Sequence, residues 1–238
     1  MKNIKDLNIK IFADGADKKT MLEMNQTKFI QGLTTNPTLM KKAGIKNYKN
    51  FAIDILKHIT NKPISFEVFS DDFDEMEKQA LEIASWGDNV YVKLPITNTK
   101  GIDSFSLINR LSNQKVKVNV TALMTLNQVE GVVRNINADT PSYISIFAGR
   151  IADTGVDPIP IMREAIKIMS SKPSSELIWA SPRELLNIFQ ANAIGCHVIT
   201  ATPDILKKLS LVNYDLNQYS LDTVKMFYQD ALFAGYKL

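Results

Sequence analysis

Asn89-Val90-Tyr91-Val92-Lys93-Leu94-Pro95-Ile96 reads as a β-strand with one lysine near its centre. Side chains alternate along a strand, so Val90, Val92, Leu94 and Ile96 share one face while Tyr91, Lys93 and Pro95 share the other. If helices cover the aliphatic face, Lys93 looks into the interior of a sheet or barrel. An ammonium is costly there unless it is paired or gives up its proton. Desolvation favours the neutral amine, which is a nucleophile for carbonyl carbons. A lone lysine can also snorkel to water from a strand end, so the neighbouring strands decide between the two readings.

Working outward, apolar runs of strand length recur at 10–14, 32–36, 64–69, 89–96, 116–123, 143–149, 176–181 and 196–201. Between and after them lie helical patterns at 17–25, 48–60, 72–86, 101–111, 126–135, 158–169, 182–192 and 203–209. Cap-type residues mark several starts: Asp71 or Asp72, Thr125, Asp157 before Pro158, Ser181 before Pro182 and Thr202 before Pro203. Eight alternations of strand and helix predict parallel strands with right-handed crossovers, closing into a (β/α)8 TIM barrel whose site lies at the strands' C-terminal ends. A doubly wound open sheet is the alternative. A ninth helix at 220–234 sets Leu221, Val224, Phe227, Tyr228 and Ala231 on one face, fit to cover the barrel or a neighbouring copy as a homo-oligomer. No linker divides the chain, so residues 1–238 are expected to form one barrel domain.

Composition narrows the function classes. Of 238 residues, 45% are hydrophobic and 22% charged, enough for a sizeable core, and no run reaches the ~18 apolar residues of a membrane span. The basic start at 1–6 is followed by no apolar leader segment. The one cysteine, Cys196, excludes an internal disulfide and points to a reducing, cytoplasmic setting. A net charge of +3 without a basic block argues against nucleic acid and leaves anionic small molecules open. The two histidines, His58 and His197, show no metal-ligand spacing. There is no G-x-S-x-G elbow, no Walker loop and no G-x-G-x-x-G turn. Any chemistry therefore runs on lysine, carboxylates, hydroxyls and amides.

Polar residues gather where these strands end: Asp14 on the first; Thr34, Thr35 and Asn36 on the second; Glu67 on the third; Asn119 and Thr121 alternating with valines on the fifth; Ser145 and then Arg150 on the sixth; Ser181 and then Arg183 on the seventh. Each has a structural account on its own. Asp14 can cap a helix, Glu67 can neutralise Lys93, Asn119 and Thr121 can satisfy buried backbone, and the arginines can be solvated loop residues. Packing alone does not explain why they share one end.

Gly32-Leu33-Thr34-Thr35-Asn36-Pro37-Thr38, Val92-Lys93-Leu94-Pro95, Asn119-Val120-Thr121, Ser145 to Asp153 and Ala180-Ser181-Pro182-Arg183 resemble the transaldolase family, in matching order across most of the chain. The resemblance implies a (β/α)8 barrel and a class I, Schiff-base mechanism with no metal or other cofactor, acting on sugar phosphates. By the same resemblance, Lys93 is the imine-forming lysine and Asp14 the general acid/base. Glu67 and Thr121 hold the water through which protons move. Thr34, Asn36, Asn119, Ser145 and Phe147 face the donor, and Arg150, Ser181 and Arg183 match the phosphate site.

The compact fructose-6-phosphate aldolases, which release free dihydroxyacetone, are also similar. Glu67 and Phe147 favour transaldolase, because those aldolases typically carry glutamine and tyrosine there. The short chain favours the compact subfamily. Gly15-Ala16 and Pro182 depart from the usual pattern and leave the donor and acceptor sugars open. Two other readings stand beside these: a non-catalytic phosphosugar-binding barrel, and a metal-dependent aldolase with Asp14 and Glu67 as ligands.

Overall fold

The computed structural model describes residues 6–238, so most of the basic start, residues 1–5, lies outside the described residues. Eight parallel strands close into a barrel: β1 (Lys10–Asp14), β2 (Ile30–Thr34), β3 (Ile64–Glu67), β4 (Val90–Pro95), β5 (Val118–Leu123), β6 (Ser142–Ile146), β7 (Ser175–Trp179) and β8 (Val198–Ala201). Each pairs with its sequence neighbours, and β8 returns to β1 with Phe12 opposite Thr200. The helices are α1 (Lys18–Gln26), α2 (Pro37–Lys42), α3 (Tyr48–Leu56), α4 (Phe73–Ala84), α5 (Phe105–Asn113), α6 (Leu126–Asn135), α7 (Ala148–Asp153), α8 (Pro158–Met169), α9 (Leu186–Ala193), α10 (Pro203–Lys207) and α11 (Leu216–Ala234). This is the (β/α)8 TIM barrel with an additional C-terminal helix, and the open-sheet alternative is set aside by the β1–β8 pairing.

Local chemistry sets most helix starts. Asp72 accepts from the Glu75 amide at 3.0 Å, Asp157 accepts from the Ile159 amide at 2.9 Å ahead of Pro158, and Thr125 forms a reciprocal capping box with Gln128. Three departures from the sequence expectation bear on the site. The second strand ends at Thr34 because Asn36 leaves it to cap α2, accepting from the Leu39 amide at 2.9 Å. The sixth ends at Ile146, and the chain turns at Phe147 straight into α7. Ser181 caps nothing: it holds φ +60°, in the left-handed region, and α9 begins only at Leu186 after Asn187 has taken the Arg183 and Glu184 amides.

The core has two parts, divided by strand alternation. Outward residues such as Leu33, Phe66, Val92, Val120 and Trp179 pack against buried helix residues including Ile55, Met76, Ile108, Val132 and Met162. Inward, Phe12, Tyr143, Ile178, Ala180 and Val198 form a second cluster that Tyr91 packs against. A Cβ at Gly32 would lie 2.5 Å from the tip of the Phe12 ring, so this glycine yields its place on β2 to that ring. Phe12 meets Tyr143 edge-on at 5.6 Å, and Tyr143 lies 4.3 Å from Tyr91. Burying a ring such as Phe12 contributes about 1.5–3 kcal/mol. This aromatic layer is a floor: two residues further along each strand, on the same inward face, come Asp14, Thr34, Lys93, Ser145 and Thr200.

Among the described residues no helix is long and apolar enough to cross a membrane. Helix α11 buries none of its residues and leaves Leu221, Val224, Phe227, Tyr228, Leu232 and Phe233 exposed.

Candidate active site

Above the aromatic floor a cavity of about 510 Å³ opens at the C-terminal ends of the strands. Its wall brings together Asp14, Thr34, Asn36, Glu67, Lys93, Asn119, Thr121, Ser145, Phe147, Arg150 and Ser181. Lys93 is 6% exposed. Its Nζ donates to the Thr35 carbonyl at 2.9 Å and lies 3.1 Å from Glu67 Oε2, so the lysine is buried as its strand predicts and is held between two acceptors. Register explains the pairing: Glu67 on β3 and Asn119 on β5 both stand opposite Lys93.

The neighbours are themselves fixed. Asn119 donates through Nδ2 to Ser65 Oγ at 3.0 Å and accepts at Oδ1 from Ser145 Oγ at 2.7 Å, which ties β3, β5 and β6 together beside the lysine. The Tyr48 hydroxyl takes the Glu67 amide proton at 2.7 Å and donates to the Glu67 carbonyl at 2.9 Å. It substitutes for a strand partner where the β2–β3 pairing has run out after two residue pairs. Burial pushes the Tyr48 phenol well above its ordinary range, so it stays a neutral hydroxyl. Thr121 Oγ1 is buried without a hydrogen-bond partner among the described residues and lines the cavity, and the adjoining Ala122 holds φ +66° where the β5–β6 register breaks. A hydroxyl buried without a partner is expensive unless something it binds completes it.

Across the cavity, Asp14 accepts from Thr34 Oγ1 at 2.8 Å. Burial raises its carboxyl above the usual range, opposed by the charge of Lys93 and the Thr34 hydrogen bond. At the opposite rim the Arg150 guanidinium lies over the Phe147 ring at 5.5 Å, and α7 comes so close to Ser181 that only glycine fits at position 149. Asn36 spends its side-chain oxygen on the α2 cap, which leaves its amide nitrogen for the cavity.

Arg183 stands apart from the other predicted residues. Its guanidinium makes two bonds to Asp153, one of them from Nε at 2.8 Å, and a third nitrogen donates to the Ser181 carbonyl and hydroxyl at 3.1 and 3.0 Å. That engagement keeps it off the cavity wall, as a brace for the Ser181 loop. It also holds the Asp153 carboxyl below the ordinary range. Conversely, Thr200, Lys42 and Tyr48 join the site without having stood out in the sequence. Thr200 is legible in the alternation of β8, where it shares the inward face with Val198. Lys42 is not, because the short α2 carries no helical pattern strong enough to place it, and Tyr48 reaches Glu67 only through the folded barrel.

Known proteins are similar to this chain over most of its length. A family model described as transaldolase/fructose-6-phosphate aldolase matches residues 11–234. Among curated relatives, a "Probable transaldolase" of Thermoanaerobacter sp. is 32% identical over 234 residues, covering 97% of this chain and all of the relative. One from Brucella anthropi is 33% identical over 219 residues, covering 90% and 94% of the two chains. One from Methanococcus maripaludis is 32% identical over 202 residues, covering 84% and 89%.

Proposed function

Because the chain belongs to the transaldolase/fructose-6-phosphate aldolase family, we propose that it transfers a dihydroxyacetone unit from a ketose phosphate to an aldose phosphate through an imine on Lys93. Sedoheptulose 7-phosphate or fructose 6-phosphate is the donor, in the pentose phosphate pathway of the cytoplasm. The observation that carries this reading is the Lys93 amine, buried yet lining an open cavity, with Glu67 in contact and Asp14 lining the same cavity.

In this scheme Lys93 passes a proton to the Glu67 carboxylate, 3.1 Å away, and its lone pair attacks the C2 carbonyl of the ketose. Loss of the carbinolamine oxygen as water gives an iminium. A water held by Glu67 and Thr121 carries the protons of these steps, completing the unpartnered Thr121 hydroxyl. Asp14 then takes the C4 hydroxyl proton, the electrons of the C3–C4 bond move into the enamine, and an aldose phosphate leaves. An acceptor aldehyde is attacked by the enamine as Asp14 returns the proton. Hydrolysis of the new iminium frees the product and Lys93. Asn119, Ser145, Thr34 and the Asn36 amide hold the donor's hydroxyls, and Phe147 walls them. Arg150 and Ser181 take the phosphate, with Arg183 supporting Ser181.

Glu67 and Phe147 favour transfer over release of free dihydroxyacetone, the second reading that the family name allows. Borohydride reduction in the presence of fructose 6-phosphate should mark Lys93 by mass spectrometry, and Lys93→Met should lose the mark. Product formation that requires erythrose 4-phosphate selects transfer, and formation without it selects the aldolase. No adduct and no turnover with either sugar would leave a non-catalytic phosphosugar-binding barrel.

A further inference from the structure

Strands β2 and β8 flank β1, and their threonine hydroxyls meet in front of it: Thr34 Oγ1 lies 2.5 Å from Thr200 Oγ1. Both residues are buried, and Thr200 lines the cavity. A hydroxyl has one hydrogen to give. Thr34 gives its hydrogen to Asp14 Oδ1 at 2.8 Å, so the short contact with Thr200 requires the Thr200 hydrogen. While Asp14 is ionised, the chain of donation therefore has one direction, from Thr200 to Thr34 to the Asp14 carboxylate.

We propose that Thr200 is a positioning residue for the base: it locks Thr34 as a donor and thereby holds Asp14 as an oriented carboxylate. Among the described residues the partners of the Thr34 hydroxyl are Asp14 and Thr200, so without Thr200 nothing but Asp14 orients it. With one of its two lone pairs occupied by Thr200 it points one way, and polarisation along the chain strengthens the bond it makes to the carboxylate. The consequence for cleavage rests on the reading of Asp14 as general base, whereas the chain itself does not. The charged groups facing Asp14 are Lys93 from β4 and Glu67 from β3. Lys42 of α2 and Arg150 of α7 line the same cavity. Asp17 and Asp204 line an adjoining cavity of about 480 Å³ that Asp14 also borders. A substitution at Thr200 changes none of these, so its effect on Asp14 isolates the hydroxyl chain.

The test is a carbon-detected NMR titration of the Asp14 carboxyl in the free protein, with the signal assigned by its loss in Asp14→Asn. Thr200→Val, nearly the same shape without the donor, should raise the midpoint by about half a pH unit, the size of one net hydrogen bond. Thr200→Ser should keep the wild-type midpoint. A midpoint that stays put in Thr200→Val, or that moves as far in Thr200→Ser, overturns the proposal. Should the valine variant fail to fold by circular dichroism, Thr200→Cys, a weak donor of similar size, takes its place: a raised midpoint supports the proposal and an unmoved one overturns it. The pH dependence of kcat with fructose 6-phosphate separates the two readings. An acid limb that follows the NMR midpoint supports both, and a moved midpoint with an unmoved limb keeps the Thr200 chain and removes Asp14 as the base.

Discussion

Replacing Gly149 by alanine tests whether the phosphate end of the cavity depends on the close approach of α7 to the loop after β7. A Cβ at position 149 would lie 1.6 Å from the Ser181 carbonyl oxygen, whereas real Cβ atoms essentially never come within 3.0 Å of another group. The obstacle is backbone, so no side chain can swing away. The two segments must part by about 1.4 Å, against packing that resists such expansion. Overpacking of this kind costs about 1–3 kcal/mol of stability, which lowers Tm by roughly 2–12 °C in a chain of this length. Arg150 and Ser181 sit on the parted segments, and a misplacement near 1 Å costs about 100-fold in rate, or roughly 2.7 kcal/mol. Lys93, Glu67 and Asn119 lie on β3 to β5, outside those segments. In steady-state assays with fructose 6-phosphate, kcat/KM of Gly149→Ala should fall about 100-fold. Borohydride trapping of unphosphorylated dihydroxyacetone on Lys93 should persist near the wild-type rate. Wild-type kcat/KM in a folded variant, or an equal loss in both assays, would refute this account of the phosphate end.

Three more expectations can be checked directly. Asp14 has its folded carboxyl raised, so the folded state holds this proton at pH values where the unfolded chain has lost it, and stability falls as pH rises from about 3.9 through the folded midpoint. Asp14→Asn should therefore raise Tm at pH 7 and lose that gain toward pH 3, and a gain independent of pH would contradict the effect of burial. Arg183 pairs with Asp153 at an exposed site, so Arg183→Ala should cost less than about 1 kcal/mol. It should raise KM for fructose 6-phosphate less than Arg150→Ala does, and the reverse order would put Arg183 on the phosphate. The apolar face of α11 is expected to seat on a second copy of the chain. Light scattering should find an oligomer that Val224→Asp with Phe227→Asp disperses, and a monomeric parent protein would end that expectation.

The alternation of apolar and polar side chains is a covalent property of an extended chain. For that reason Lys93, Asp14, Asn119 and Thr121 could be assigned to the inward face, and eight strand–helix units to a barrel, from the sequence by itself. Side-chain caps are equally local, and Asp72, Thr125 and Asp157 stand where their short-range hydrogen bonds require. Ser181 failed as a cap because its neighbourhood is not local: the loop it begins is shaped by α7 against it, by Asn187 and by Arg183. The fate of Arg183 was equally hidden, since a long guanidinium goes to the nearest carboxylate in space, and Asp153 is 30 residues away in the chain. Barrel closure decided the rest. Only when β8 returns to β1 do Thr200 and Thr34 meet before Asp14, and only when the β2–β3 ladder runs short does Tyr48 grasp the backbone of Glu67. Which face a residue occupies follows from its own strand. Which residue it touches depends on stagger, closure and the reach of side chains from distant segments.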